Sequence, residues 1–134
     1  MIPRTVVIDA ACVTDLLVGS RRALPVMEAV IGRRAAAPAH IDQEVLSALA
    51  WIQRAGAPRT DIDARLELFR AMPLDRHCLD PLLRGAWMRA ETLPISDGLY
   101  VELAEQLKAP LVTGNPDMAA ASSSAILVEA ILVD

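Results

Sequence analysis

Thr5 to Ile8 form a short β-branched apolar run that stops at Asp9, the pattern of a strand buried on both faces with a carboxylate at its C-terminal end. A second run, Pro110 to Thr113, gives way to the turn residues Gly114, Asn115 and Pro116. A third spans Ile126 to Val128, with Ile131 to Val133 as its continuation or its rival. Two further short strands fit Ala35 to Pro38 and Pro73 to Arg76. Between these runs, apolar positions recur at helical spacing over Leu24 to Arg34, Ala39 to Arg54, Thr60 to Met72, Leu79 to Thr92 and Ile95 to Lys108. Strands alternating with helices predict a doubly wound α/β sheet. No repeat or linker breaks the pattern, and Ala119 to Ser124 reads as a helix end and loop, so residues 1–134 are expected to form a single domain.

Three acids depart from this pattern. In the helix over Ile95 to Lys108, the residues Gly98, Glu102, Glu105 and Gln106 share a polar arc, but Asp97 projects between Ala104 and Val101, inside the apolar arc. An acid in the first turn beside a Ser96 cap would suit the helix dipole, yet that role does not require it to face inward. In the helix over Ala39 to Arg54, Glu44 falls between Trp51 and Ala48, again on the apolar side and near the N-terminus. A buried carboxylate needs a cap, an arginine or a metal. Asp9 is the third member, because an open parallel sheet gathers strand C-termini and helix N-termini along one edge. Asp9, Glu44 and Asp97 gathered there would repel one another unless a cation intervened. With oxygen ligands and no His or Cys, that cation is Mg²⁺ or Mn²⁺ rather than zinc. A hard ion that keeps open positions suits phosphodiester hydrolysis, with Asp9 and Asp97 as ligands and Glu44 orienting or deprotonating a water.

Composition changes the picture in a few places. The 134 residues are 54% hydrophobic and 22% charged, which excludes extended disorder. The longest stretch without a formal charge, Met118 to Val128, is about half a membrane span, and the apolar run after Arg4 is too short for a secretory signal, so a cytoplasmic location is expected. A net charge of −4 argues against a protein that wraps duplex DNA, so any contact with nucleic acid must be local. Every basic residue but Lys108 is arginine, and the pairs Arg21–Arg22 and Arg33–Arg34 are read as solvated, with contact to RNA phosphate as the other option. Cys12 and Cys78 are read as buried free thiols. His40 is read as a turn or cap residue, and Phe69, Trp51, Trp87 and Tyr100 as core or subunit-interface residues rather than base-stacking ones.

The segments VVIDAACV, IDQEVLSAL and ISDGLYVELAEQLKAPLVTGN resemble, in this order and spacing, the PIN-domain VapC toxin ribonucleases of bacterial toxin–antitoxin pairs, and the likeness covers essentially the whole chain. The resemblance implies a three-layer α/β/α fold with a central parallel sheet. It implies Mg²⁺- or Mn²⁺-dependent endoribonuclease activity on structured RNA such as tRNA or rRNA. It also implies a homodimer, and neutralisation by a small cognate antitoxin that inserts a C-terminal segment into the toxin groove. Asp9, Glu44 and Asp97 match the family's first three acids, and Asn115 stands where a fourth acid is frequent. Two departures matter: Ala11 replaces the usual Ser or Thr two residues after the first acid, and Asn115 brings no charge to a second ion. Asp117 is a possible supporting acid if the turn lets it reach back; otherwise Asn115, Pro116 and Asp117 begin a helix as cap, first residue and dipole partner.

Two other readings compete. A PIN-like binding module would keep the fold and the antitoxin interface with weak or no catalysis. A metal-free α/β domain would satisfy the acids with Arg84, Arg89 or caps.

Overall fold

The computed structural model describes residues 4–129. Five parallel strands, β1 (Thr5–Ile8), β2 (Arg34–Pro38), β3 (Leu74–His77), β4 (Leu111–Thr113) and β5 (Ala125–Leu127), form one sheet in the order β3-β2-β1-β4-β5. The helices are α1 (Ala10–Val18), α2 (Ala23–Val30), α3 (Ile41–Arg54), α4 (Arg59–Ala71), α5 (Leu83–Met88), α6 (Ile95–Leu107) and α7 (Pro116–Ala121), with a 3₁₀ turn at Asp80–Leu82. Chain order runs outward from β1 to β3 and then returns to the other side of β1. Right-handed crossovers therefore put α1 to α4 on one face and α5 to α7 on the other, and the helix packing follows that division. The expected α/β architecture with a parallel sheet between helical layers is present.

The strand sequences explain the order. Val6, Val7 and Ile8 in β1 are buried without exception, as a central strand covered on both faces requires. Leu111, Val112 and Thr113 in β4 are equally buried. The edges are short, and β3 presents the exposed Asp75 and Arg76, which discourage pairing with another sheet.

Several boundaries differ from expectation for local reasons. Helix α1 falls in a stretch for which the hydrophobic pattern predicts no element. It is apolar nearly all round, so it lacks the 3.6-residue contrast, but Asp9 caps its start and Gly19, at φ 69°, ends it. The helix predicted over Leu24 to Arg34 stops at Val30, because Gly32 at φ 75° turns the chain so that Arg34 opens β2. The long helix predicted over Leu79 to Thr92 breaks into the 3₁₀ turn and α5, with Pro81 in the first turn and a run of tight turns after Met88. The third strand runs over Ala125–Leu127, and the rival strand at Ile131 to Val133 lies outside the described residues. Glu105 of α6 accepts bonds from Ser123 N at 2.6 Å and Ser123 Oγ at 2.7 Å, fastening the serine loop; these bonds hold its carboxyl below the ordinary value.

Three assignments are corrected. Cys12 is buried but Cys78 is exposed, because it follows an edge strand. Tyr100 and Phe69 are core residues, whereas Trp51 and Trp87 are 65% and 74% exposed, so core packing does not explain the two tryptophans. Ser96 is not a cap: α6 begins at Ile95 after Pro94, and the Ser96 hydroxyl bonds elsewhere.

Helices α5 and α6 approach through two glycines. A Cβ at Gly98 would meet Ala86 at 3.5 Å, an ordinary contact, whereas one at Gly85 would overlap the Glu102 carboxylate that pairs with Arg89. Identical substitutions should therefore act in opposite directions. Gly98→Ala is expected to stabilise by about 0.5–1 kcal/mol through helix propensity. Gly85→Ala is expected to destabilise by about 1–3 kcal/mol by displacing Glu102 from Arg89, with urea unfolding as the measurement for both.

Candidate active site

The switch in strand order lies between β1 and β4, the position at which open α/β sheets bind ligands. The register pairs Ile8 with Val112, so the next residues face each other: Asp9 just beyond β1 and Thr113 at the end of β4. Thr113 Oγ1 donates to Asp9 Oδ2 at 2.5 Å, and Cys12 N donates to Asp9 Oδ1 at 2.8 Å. Both carboxylate oxygens of this buried residue therefore have donors. Burial, the Asp9 charge and a bond to Asp9 push the Cys12 thiol well up, so it stays protonated.

Glu44, in the first turn of α3, reaches α6 from across the sheet edge. Tyr100 Oη donates to its Oε1 at 2.7 Å, and Ser96 Oγ donates to its Oε2. Burial first, and then the bond to Glu44, push the Tyr100 hydroxyl far above the ordinary tyrosine value, so it remains a donor. His40 Nε2 lies 3.1 Å from the Ser96 carbonyl oxygen and 3.3 Å from Glu44 Oε1. Both neighbours are acceptors, which assigns a proton to Nε2. His40 occupies the N-cap position of α3 but makes no side-chain capping bond; its ring turns toward Glu44 and tilts against Tyr100.

Asp97 is the exception among the acids. It has neither a hydrogen bond nor an ion pair among the described residues, while Asp9 and Glu44 are both tied to donors. Burial, and then the Glu44 and Asp9 charges, raise its pKa above the ordinary aspartate value, against a lowering by His40. No arginine pairs with any of the three acids among the described residues, and Arg89 is engaged by Glu102, so the reading in which Arg84 or Arg89 neutralises them does not hold.

One cavity of about 200 Å³ collects these groups: Asp9, Glu44, Asp97 and Asn115 line it with Tyr100 and Arg22. Ala11 also faces it, with a methyl in place of a hydroxyl. Asn115 caps α7, accepting from Asp117 N at 2.9 Å, with Pro116 as the first helical residue. Asp117 is exposed in that first turn and lines a different depression, with Thr92 and Leu93, so it is not brought into the acid cavity. The sequence pattern missed Thr113, Ser96 and the hydroxyl of Tyr100; the only signal for them was their adjacency to the strand end or to Asp97.

The donor set suits a hard divalent cation: every group is an oxygen, and the unpartnered Asp97 feels two like charges that a cation would offset. Among the described residues no three His, Cys, Asp or Glu side chains lie close enough together to hold a metal ion between them. Such a cation fits an open set, because Mg²⁺ keeps several waters. Thr113→Val is expected to lower stability by about 1–3 kcal/mol in urea unfolding, since it removes a donor from a buried carboxylate and an acceptor from Asn115 N. A loss below about 0.5 kcal/mol would show that the bridge is dispensable.

No family model matches the chain. The chain is 46% identical over 125 residues to Ribonuclease VapC3 of Mycobacterium tuberculosis, covering 92% of this chain and 91% of that protein. Its fold is similar to a toxin–antitoxin complex from Klebsiella pneumoniae, with a TM-score of 0.68 and 19% identity over 94% of this chain and 99% of that one. It is similar also to VapBC2 from Rickettsia felis bound to a promoter DNA fragment, with a TM-score of 0.67 and 12% identity over 93% and 99%. With the acid cavity at the switch point and near-half identity along nearly the full length, the chain belongs to the VapC family of PIN-domain toxin ribonucleases.

Proposed function

We propose that this chain is a Mg²⁺- or Mn²⁺-dependent endoribonuclease toxin that cleaves structured cellular RNA, tRNA or rRNA, and is neutralised by a small cognate antitoxin. The observation that carries this reading is the single cavity shared by Asp9, Glu44, Asp97 and Asn115. Asp9 and Asp97 would hold the ion, with Asn115 at the cavity wall and its side-chain oxygen engaged by the first turn of α7. When bound, such an ion supplies Lewis-acid polarisation of a phosphate oxygen and a more acidic water. Glu44 orients a water in the cavity and takes up its proton. Its carboxylate is aimed for this by the Ser96 and Tyr100 hydroxyls, which fix its two oxygens. Asp117 has at most a supporting electrostatic part, through the field it adds at Asp97.

The partner part of the reading draws on the similar structures, one a toxin–antitoxin complex and the other VapBC2 bound to a promoter DNA fragment. It also draws on exposed apolar residues: Trp51 and Leu46 on α3, and Leu83, Trp87 and Met88 on α5. Large apolar side chains left in water mark interaction surfaces, and a homodimer and an antitoxin would cover them. No helix among the described residues is long and apolar enough to cross a membrane.

Purified protein incubated with total RNA is expected to cleave in Mn²⁺ and not in EDTA. Asp9→Asn and Asp97→Asn should each reduce the rate by about a hundredfold or more. Asn is a competent cap in place of Asp9, so that variant should fold. Cleavage that survives EDTA, or that is unchanged in both variants, would overturn the mechanism; a folded wild type that never cleaves would favour the binding module. Asn115→Asp keeps the cap of α7 and adds a charge to the cavity, so Mn²⁺ titration of the free protein should show about tenfold tighter binding. Unchanged affinity would show that a charge at position 115 does not reach the ion.

A further inference from the structure

Arg22 is the one cation among the residues that line the acid cavity. It sits at the N-terminus of α2, and its backbone N–H donates to Ser20 Oγ at 3.3 Å. Its guanidinium lies over Gly114: a Cβ there would stand 2.7 Å from Nη1 and 2.9 Å from Cζ. Gly114 does not adopt a positive φ, so what a side chain there would disturb is the guanidinium end of Arg22 rather than the backbone. The guanidinium has no ion-pair partner among the described residues, although carboxylates share its cavity. Two of them, Asp9 and Glu44, are held by Thr113, Cys12 N, Ser96 and Tyr100 instead, and the third, Asp97, is left open without pairing to Arg22. A half-buried arginine beside acids that leaves them alone keeps its planar fork of donors for another anion.

The charge balance names that anion. A divalent ion among Asp9, Glu44 and Asp97 leaves a negative excess that would repel an RNA phosphate, and one guanidinium at the cavity wall cancels it. We infer that Arg22 is the residue that binds the RNA phosphate entering the acid cavity, its fork lying over the bare backbone of Gly114. This rests on the nuclease reading above and singles out Arg22 from the arginine pair Arg21–Arg22. Arg22 then acts as a binding and positioning residue: it fixes the phosphodiester against the acids and takes no part in proton transfer.

The test compares wild type, Arg22→Gln, Arg22→Lys and Gly114→Ala, each shown to be folded by circular dichroism. Affinity for bulk tRNA is measured in EDTA over a range of salt, and Mn²⁺ affinity separately without RNA. Arg22→Gln is expected to weaken tRNA binding by roughly ten- to a hundredfold and to lower the log–log salt slope by about one phosphate contact. Arg22→Lys should recover part of the affinity, since charge returns without the fork. Gly114→Ala keeps the charge but shifts the guanidinium, so it should weaken binding by an intermediate factor. Mn²⁺ binding should be unchanged or tighter in Arg22→Gln, because a positive charge beside the ion is gone. In cleavage assays KM should rise by about the binding factor while kcat stays within about threefold. Unaltered tRNA affinity and salt slope in folded Arg22→Gln would overturn the inference, as would weaker Mn²⁺ binding, which would make Arg22 a prop for the acids. A wild type that binds no Mn²⁺ would overturn the metal reading alone, and the tRNA comparison in EDTA would still decide the role of Arg22.

Discussion

A carboxylate buried at the switch point of a parallel sheet has to find donors for both its oxygens, and the geometry of this protein follows from how Asp9 does so. Its two oxygens take the first turn of α1 through Cys12 N and the end of β4 through Thr113. The same threonine accepts from Asn115 N at 3.0 Å, so one hydroxyl ties the β1 acid to the loop that carries Gly114 and Asn115. Strand register, helix capping and the far wall of the cavity thus share a single buried bridge. A buried polar network of this kind favours one arrangement only when every member is satisfied.

The second organising choice is that hydroxyls, rather than arginines, serve the acids. Neutral donors orient Glu44 and Asp9 without cancelling their charge. Ion pairs with arginine would have made the cavity electrically quiet and of little use to a cation. Among the described residues the arginine–carboxylate pairs lie elsewhere: Arg34 with Asp75, Arg76 with Asp42 and Arg70 with Glu67 on the surface, and Arg89 with Glu102 between α5 and α6. The negative field is therefore concentrated where α3 and α6, from opposite faces, bring their N-terminal turns over the sheet edge. An overall charge of −4 conceals this local arrangement and says little about whether RNA can approach.

Much of this was legible in the residues. Runs such as Val6 to Ile8 announce a strand covered on both faces, because no alternation interrupts them. Asp97 and Glu44 stood out because a charge on an apolar helical arc needs a reason. Helix α1 was not legible, since a segment buried nearly all round carries no periodic contrast, and its only markers were the cap residue before it and the glycine after it. The aromatic residues divided in a way no periodicity foretold. Trp51 and Trp87 stand on the helix flanks that meet solvent, and Tyr100 is a core ring whose hydroxyl belongs to the site.

The sequence by itself determined the parallel α/β class, the identity of the three acids and the elements that carry them, because burial pattern and charge placement are properties of short segments. It did not determine who serves those acids or who stands free among them. Thr113 meets Asp9 across 104 positions of chain, and Ser96 and Tyr100 meet Glu44 across 52 and 56. Arg22 reaches Gly114 only because the order of strands switches beside β1. Such pairings arise from strand order and crossover hand, which no local window contains, and for that reason only the tertiary structure separates an acid held by hydroxyls from one left open, and a solvated arginine from one lodged beside the site.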